Sequence, residues 1–443
     1  MMKSKHFLSV AVMALAALFF QACSSDKSAD AREILSTVPS DVSLVAVFNT
    51  GAILEKAGCK VDGEKITPGK EMQNALARVS NPRTKKILNT LLNGKSGLNP
   101  SVCVLFQDGY NFYLTGLASD PGKLKKMMSE NGMPAFESEK GVDISENMAI
   151  ADNRFWINLQ SGSIQAQDIR HFNTLSESQS FLSNAYAETL CTVTKDVEGW
   201  GNIFGIINTC NLDMQNKMVA QVAIQALFED PEAMTFSVNF TKGAMDAQAT
   251  VINSKGKTAK YLLPSDKLDV NTIASLGGTA EAVVAFSIPS KLISNLQKDT
   301  KSKITSMISM YLQQFGCVNG TVACAVSGDN LNGVITTDGN NTTALSSLLS
   351  SGDMSVTMNG NQMKFTKGTV SGPANVAQVS SQFNGAIGGV VFGNVFSADS
   401  QNPFDSGSLL LFADKGGLIF KVHASAKNKN VNPILSLITN SKF

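Results

Sequence analysis

Nucleophilic catalysis near neutral pH needs a base beside a hydroxyl or thiol, and histidine is the side chain that most readily supplies it. The chain of 443 residues holds three histidines, and His6 lies in its first, apolar segment. His171 and His423 are therefore the imidazoles through which a Ser-His-Asp or Cys-His mechanism could run. His171 stands in the polar run Asp168-Ile169-Arg170-His171-Phe172, which reads as solvated surface. His423 stands in the apolar strand run Leu418 to Ala424, where packing or an edge position is expected. No GxSxG motif occurs to mark a nucleophile elbow. Catalytic residues are thus left unassigned.

Phosphate and metal chemistry can be tested by spacing. Gly94-Lys95-Ser96 and Gly256-Lys257-Thr258 resemble the end of a Walker loop, but Asn89 and Val251 stand where the earlier glycine is required. Gly94 reads better as a helix C-cap, and the second triplet as a strand-to-helix turn. No calcium-loop pattern and no paired Cys/His spacing is present, so no metal and no cofactor is assigned. A glycosidase needs two facing carboxylates, which only the fold could bring together. Trp156 and Trp200 lie in strand runs and read as core, as do Met127, Met128, Met214, Met218, Met307 and Met310 in helical runs.

The most informative chemistry is acylation. Lys3 and Lys5 precede the apolar run Phe7 to Phe20, which ends at Gln21-Ala22-Cys23. A run this short falls below the roughly 20 residues that cross a bilayer, and a small residue directly before a cysteine marks a lipoprotein leader. Residues 1–22 are read as a signal peptide and Cys23 as the lipidation site, where several acyl chains would anchor the chain at about 0.8 kcal/mol per buried methylene. The polar stretch 23–30 reads as a lipidated tether. No later segment has 18 consecutive apolar residues, so membrane contact is expected through the anchor alone.

Six cysteines remain, Cys59, Cys103, Cys191, Cys210, Cys317 and Cys324. Export permits disulfides, yet no CxxC occurs, and Cys103 and Cys324 lie inside apolar strands, so unpaired buried thiols are the favoured reading. With 37 Lys+Arg against 36 Asp+Glu, the chain lacks the basic excess of a nucleic-acid partner. At 43% hydrophobic residues it is built to bury a core, and its length calls for two or more domains.

Those domains are expected at 31–265 and 266–443, both α+β, with antiparallel sheets built from repeated strand-helix-hairpin-helix units duplicated into two similar halves. Thr37-Val38-Pro39-Ser40-Asp41-Val42 is echoed by Thr192-Val193-Thr194-Lys195-Asp196-Val197. Strands Leu44 to Phe48, Glu198 to Gly201, Ala282 to Phe286 and Gly389 to Gly393 end at Asn49, Asn202, Ser287 and Asn394, whose side chains can start a turn or helix. Hairpins are expected around Asp108-Gly109, Lys242-Gly243, Gly328-Asp329-Asn330 and Lys415-Gly416, with two more at Asp152-Asn153 and Asn359-Gly360. Helices follow at Gly122 to Met128, Lys257 to Leu263, Thr343 to Leu349 and Pro433 to Thr439. Gln160 to Asn184 and Gly368 to Phe383 read as loops, and Cys59 to Arg83 and Val395 to Gly407 as surface excursions.

The leader, the run Pro39-Ser40-Asp41-Val42-Ser43-Leu44-Val45-Ala46-Val47-Phe48-Asn49, the following Ile53-Leu54-Glu55-Lys56-Ala57-Gly58 and the later Asp196-Val197-Glu198-Gly199-Trp200-Gly201-Asn202 resemble a broad group of Bacteroidetes lipoproteins catalogued as a domain of unknown function. The resemblance implies an outer-membrane lipoprotein facing the periplasm or displayed on the cell surface, and it brings no catalytic residue. In that phylum acidic residues just after the cysteine accompany surface display; here Lys27 interrupts Asp26 and Asp30. The function expected is a noncatalytic binding or assembly module of the envelope, with an envelope protein or a glycan as partner. An envelope hydrolase whose carboxylates converge only in the fold, and a structural spacer, are the alternatives.

Overall fold

A computed structural model describes residues 27–435, apart from 63–64, 78, 80–84, 87–88, 91–95, 132, 161–162, 211, 293–314 and 394–402. The leader 1–22 and Cys23 lie outside the described residues, as do Met307, Met310, Gly94 and Asn394.

Among the described residues helices are mixed with strands, and one antiparallel sheet holds 18 strands. Its first members are β1 (Leu44–Phe48), β2 (Leu98–Asp108), β3 (Asn111–Ala118), β4 (Glu137–Glu139), β5 (Val142–Ser145) and β6 (Met148–Ala151). Then come β7 (Arg154–Asn158), β8 (Val197–Asn202), β9 (Pro231–Thr241), β10 (Ala244–Asn253), β11 (Ala282–Ile288) and β12 (Val318–Ser327). The last are β13 (Asn330–Thr337), β14 (Ser355–Asn359), β15 (Gln362–Lys367), β16 (Gly388–Phe392), β17 (Phe404–Asp414) and β18 (Gly417–Ala426). Paired neighbours run β4-β5-β6-β7-β3-β2-β1-β8-β9-β10. The order continues β10-β18-β17-β16-β11-β12-β13-β15-β14.

The local hairpin signals map onto β2–β3, β9–β10, β12–β13 and β17–β18, which turn through Gly109, Gly243, Gly328 and Gly416 at positive φ. Strand β10 pairs with β18, so strands from 31–265 and 266–443 share one sheet.

Alternation along the strands supplies a core on each face. Val45 and Val47 of β1 enter one cluster with Trp156 and with Ala31, Ile34 and Leu35 of the helix Lys27–Leu35. Ala46 and Phe48 enter the opposite cluster with Leu54, Met72 and Phe155. In the later half Val283, Ala285, Ala323 and Ala325 pack against Ile273, Val376 and Phe383. Two glycines make room for cross-strand rings: a Cβ on Gly199 would lie 2.1 Å from the Phe236 ring, and one on Gly333 2.0 Å from that of Phe365. Each glycine is in register with its phenylalanine.

Several expectations need correction. Residues 27–30 of the expected tether are the first turn of a helix, because Ala31 is buried and Asp30 accepts hydrogen bonds from Asn99 and Ser101. The helix expected over Lys257 to Leu263 is a turn and the short strand Lys260–Tyr261, which pairs with Phe228–Glu229. Gln160 to Asn184 contains the helix Ala166–Asn173, whose Ile169 and Phe172 are buried, and Gly368 to Phe383 contains the helix Val376–Ser380. Cys59 to Arg83 is no surface excursion where described: Cys59, Ile66, Met72 and Leu76 enter the core. Asn49 and Asn202 do cap helices, accepting from Ala52 N and Gly205 N, but Ser287 lies inside β11 and caps nothing. Met214 and Met218 are exposed on the helix Met214–Leu227, which turns Ala220 and Ile224 inward instead.

Candidate functional site

Side chains two apart on a strand project from the same face. On β18 these are His423 and Ser425, and the strand to one side, β10, sets Asp246 directly opposite His423. The three polar groups form a line. Asp246 Oδ1 lies 2.7 Å from His423 Nδ1, and His423 Nε2 lies 3.2 Å from Ser425 Oγ. A carboxylate at Nδ1 favours the tautomer carrying hydrogen there, which leaves Nε2 to accept from the serine hydroxyl. The His423 and Asp246 side chains are 45% and 54% exposed, so solvent and ligand reach both.

His423 and Ser425 form part of the wall of a cleft of about 490 Å³. Its sheet side continues onto β17 through Ser406 and Ser408, in register with Ser425 and His423. Asn375, Gln378 and Gln382 contribute from the helix Val376–Ser380 and its flanks, and Phe392 from the end of β16. Asn375 Oδ1 accepts from Gln378 N at 3.1 Å and so caps that helix. Among the described residues the cleft lining holds no carboxylate and no ammonium. Amides and hydroxyls both donate and accept, so the arrangement can pair with a neutral ligand of alternating polarity.

The other residues singled out by sequence do not join this site. His171 is exposed on the helix Ala166–Asn173. It lies within electrostatic reach of Asp108, whose carboxyl is pushed up by burial and by the charges of Asp41 and Asp168. That is where carboxylates gather, and burial together with Asp168 and Asp108 pushes the Tyr113 phenol up to about 12. Lys257 lies in a turn that leads into no helix, so its triplet builds no phosphate loop. Trp156 is fully buried, and Trp200 packs edge-on against Phe181 at 5.4 Å. The six described cysteines are free; Cys59 and Cys103 are buried deeply enough to push both thiols up to about 12. No group of three His, Cys, Asp or Glu among the described residues is placed to hold a metal ion. No helix of the described residues is long and apolar enough to cross a membrane.

His423 was expected to pack or to sit at an edge; it does neither, since β18 is paired on both sides and the ring projects into solvent. Sequence reasoning missed Ser425 and Asp246. The His-x-Ser spacing on a strand was a usable signal for Ser425. Asp246 carried none, because its approach depends on a pairing 177 residues apart in sequence.

No family model matches the chain, and no curated protein matches it. Among solved structures, crystal form I of TP0453 is similar at 10% identity and a TM-score of 0.28, covering 79% of this chain and 96% of that one. Crystal form III of TP0453 gives 10% identity and a TM-score of 0.29, covering 78% and 96%.

Proposed function

We propose that this chain is a lipid-anchored protein of the cell envelope, held at the membrane through Cys23, whose cleft binds an uncharged, hydroxyl-rich ligand such as an envelope glycan. The anchor rests on the leader and Cys23, and the ligand class on the chemistry of the cleft: Asn375, Gln378, Gln382, Ser406, Ser408 and His423 offer paired donors and acceptors without a fixed charge. Sugar hydroxyls are both donor and acceptor, so each can pair with an amide or a hydroxyl of this lining. The scaffold is read as two related halves, since β1 is flanked by β2 and β8 in the first and β11 by β12 and β16 in the second.

The test is equilibrium binding of residues 23–443 to a panel of neutral and acidic envelope oligosaccharides. Neutral members should bind, and Gln378→Ala should weaken them by about tenfold, the usual effect of losing roughly one or two net hydrogen bonds. Binding confined to acidic members, or indifferent to Gln378→Ala, contradicts the reading.

A further inference from the structure

We propose that Ser425 is a nucleophile and that Asp246, His423 and Ser425 together form an acyl-transfer site for carboxylic esters. The two ring nitrogens of His423 are engaged in the order such chemistry requires. Asp246 holds Nδ1 at 2.7 Å, and Ser425 Oγ stands 3.2 Å from Nε2. The line opens on the cleft, so an ester carbonyl can reach Oγ without any strand moving. A positional role for the carboxylate is built into the sheet, because Asp246 and His423 are a directly opposed cross-strand pair.

The step balances with water as the co-substrate. Ser425 Oγ bonds to the ester carbonyl carbon while its proton passes to His423 Nε2. The tetrahedral adduct expels the alkoxide, which takes that proton and leaves as an alcohol. Water then attacks the acyl-serine with His423 again accepting a proton, and the carboxylic acid departs as Ser425 recovers its hydrogen. Asn375, Gln378 and Gln382 line the same cleft, and their amide N–H groups are the donors that charge developing on the carbonyl oxygen would draw on. The substrate class, an O-acyl ester of a hydroxyl-rich molecule, rests on the ligand reading above, whereas the nucleophile assignment rests on the three side chains alone.

The test treats the whole mature chain, residues 23–443, with a fluorophosphonate probe and maps the adduct by peptide mass spectrometry. The expected result is a phosphonyl adduct on Ser425, slowed by about 100-fold in His423→Gln and about tenfold in Asp246→Asn. Absence of an adduct on Ser425 in a wild-type chain that binds neutral glycan overturns this inference and leaves the binding reading standing. An adduct on Ser425 in a chain that binds no neutral glycan does the reverse. Labelling of Ser425 that is as fast in His423→Gln as in the wild type also overturns it.

Discussion

Asp246 and His423, 177 residues apart in sequence, face each other across the β10–β18 pairing and are joined by a 2.7 Å hydrogen bond. The contact lies on the seam where strands of the earlier and later halves meet, so the same pairing that makes the sheet continuous also sets the imidazole. A slip of one residue in that register would turn His423 to the opposite face and empty the site.

The Lys56–Asp196 pair ties the first helix after β1 to the start of β8. The Asp196 carboxylate is 2% exposed and accepts from Lys56 Nζ at 2.7 Å and from Phe240 N at 2.6 Å. Lys56→Met leaves that charge buried with a single backbone donor. The loss should be on the order of 2–3 kcal/mol, less than for a fully buried pair because Lys56 remains partly solvated. Urea denaturation measures it; a change below about 0.5 kcal/mol contradicts the account.

Gly199→Ala should destabilise the fold by about 1–3 kcal/mol, since the added methyl enters the Phe236 ring at 2.1 Å and β8 is held between β1 and β9. The double variant Gly199→Ala with Phe236→Leu should recover part of that loss. Thermal unfolding of the single and double variants checks both statements.

Thiol chemistry should separate the cysteines. Cys59 and Cys103, pushed up to about 12 by burial, should resist iodoacetamide in the native chain at pH 8, while exposed Cys210 reacts within minutes. Timed alkylation with peptide mapping reads the order, and native-state labelling of Cys103 ahead of Cys210 would contradict it.

Asp108 predicts a pH effect of definite sign. Burial and the neighbouring Asp41 and Asp168 raise its folded-state value, so its contribution is fully favourable below the unfolded carboxylate range and is lost as pH rises through the raised value. Asp108→Asn should therefore raise Tm at neutral pH and show no gain near pH 3. Melting curves at both pH values test this; a variant destabilised at neutral pH overturns it.

Much of the scaffold was legible because it is written locally. Gly109, Gly243, Gly328 and Gly416 mark turns flanked by apolar alternation, and both the strand period and the turn chemistry act over a few residues. Asn49 and Asn202 were readable as helix starts for the same reason. Lys260 and Tyr261 were misread because pairing with Phe228 and Glu229 overrode a weak helical preference. Met214 and Met218 were misread because periodicity identifies an apolar stripe without saying which stripe the sheet will cover. The site was half legible: His423 and Ser425 share a strand face by parity, whereas Asp246 arrives through long-range register that no local pattern encodes.

Intact-mass analysis of the protein extracted from the membranes of its own cells reads the anchor directly. The account predicts a chain that begins at Cys23, with diacylglycerol on its thiol and an acyl group on its amine. A chain that still carries residues 1–22 in the cytosol, or one whose Cys23 thiol is unmodified, would contradict it.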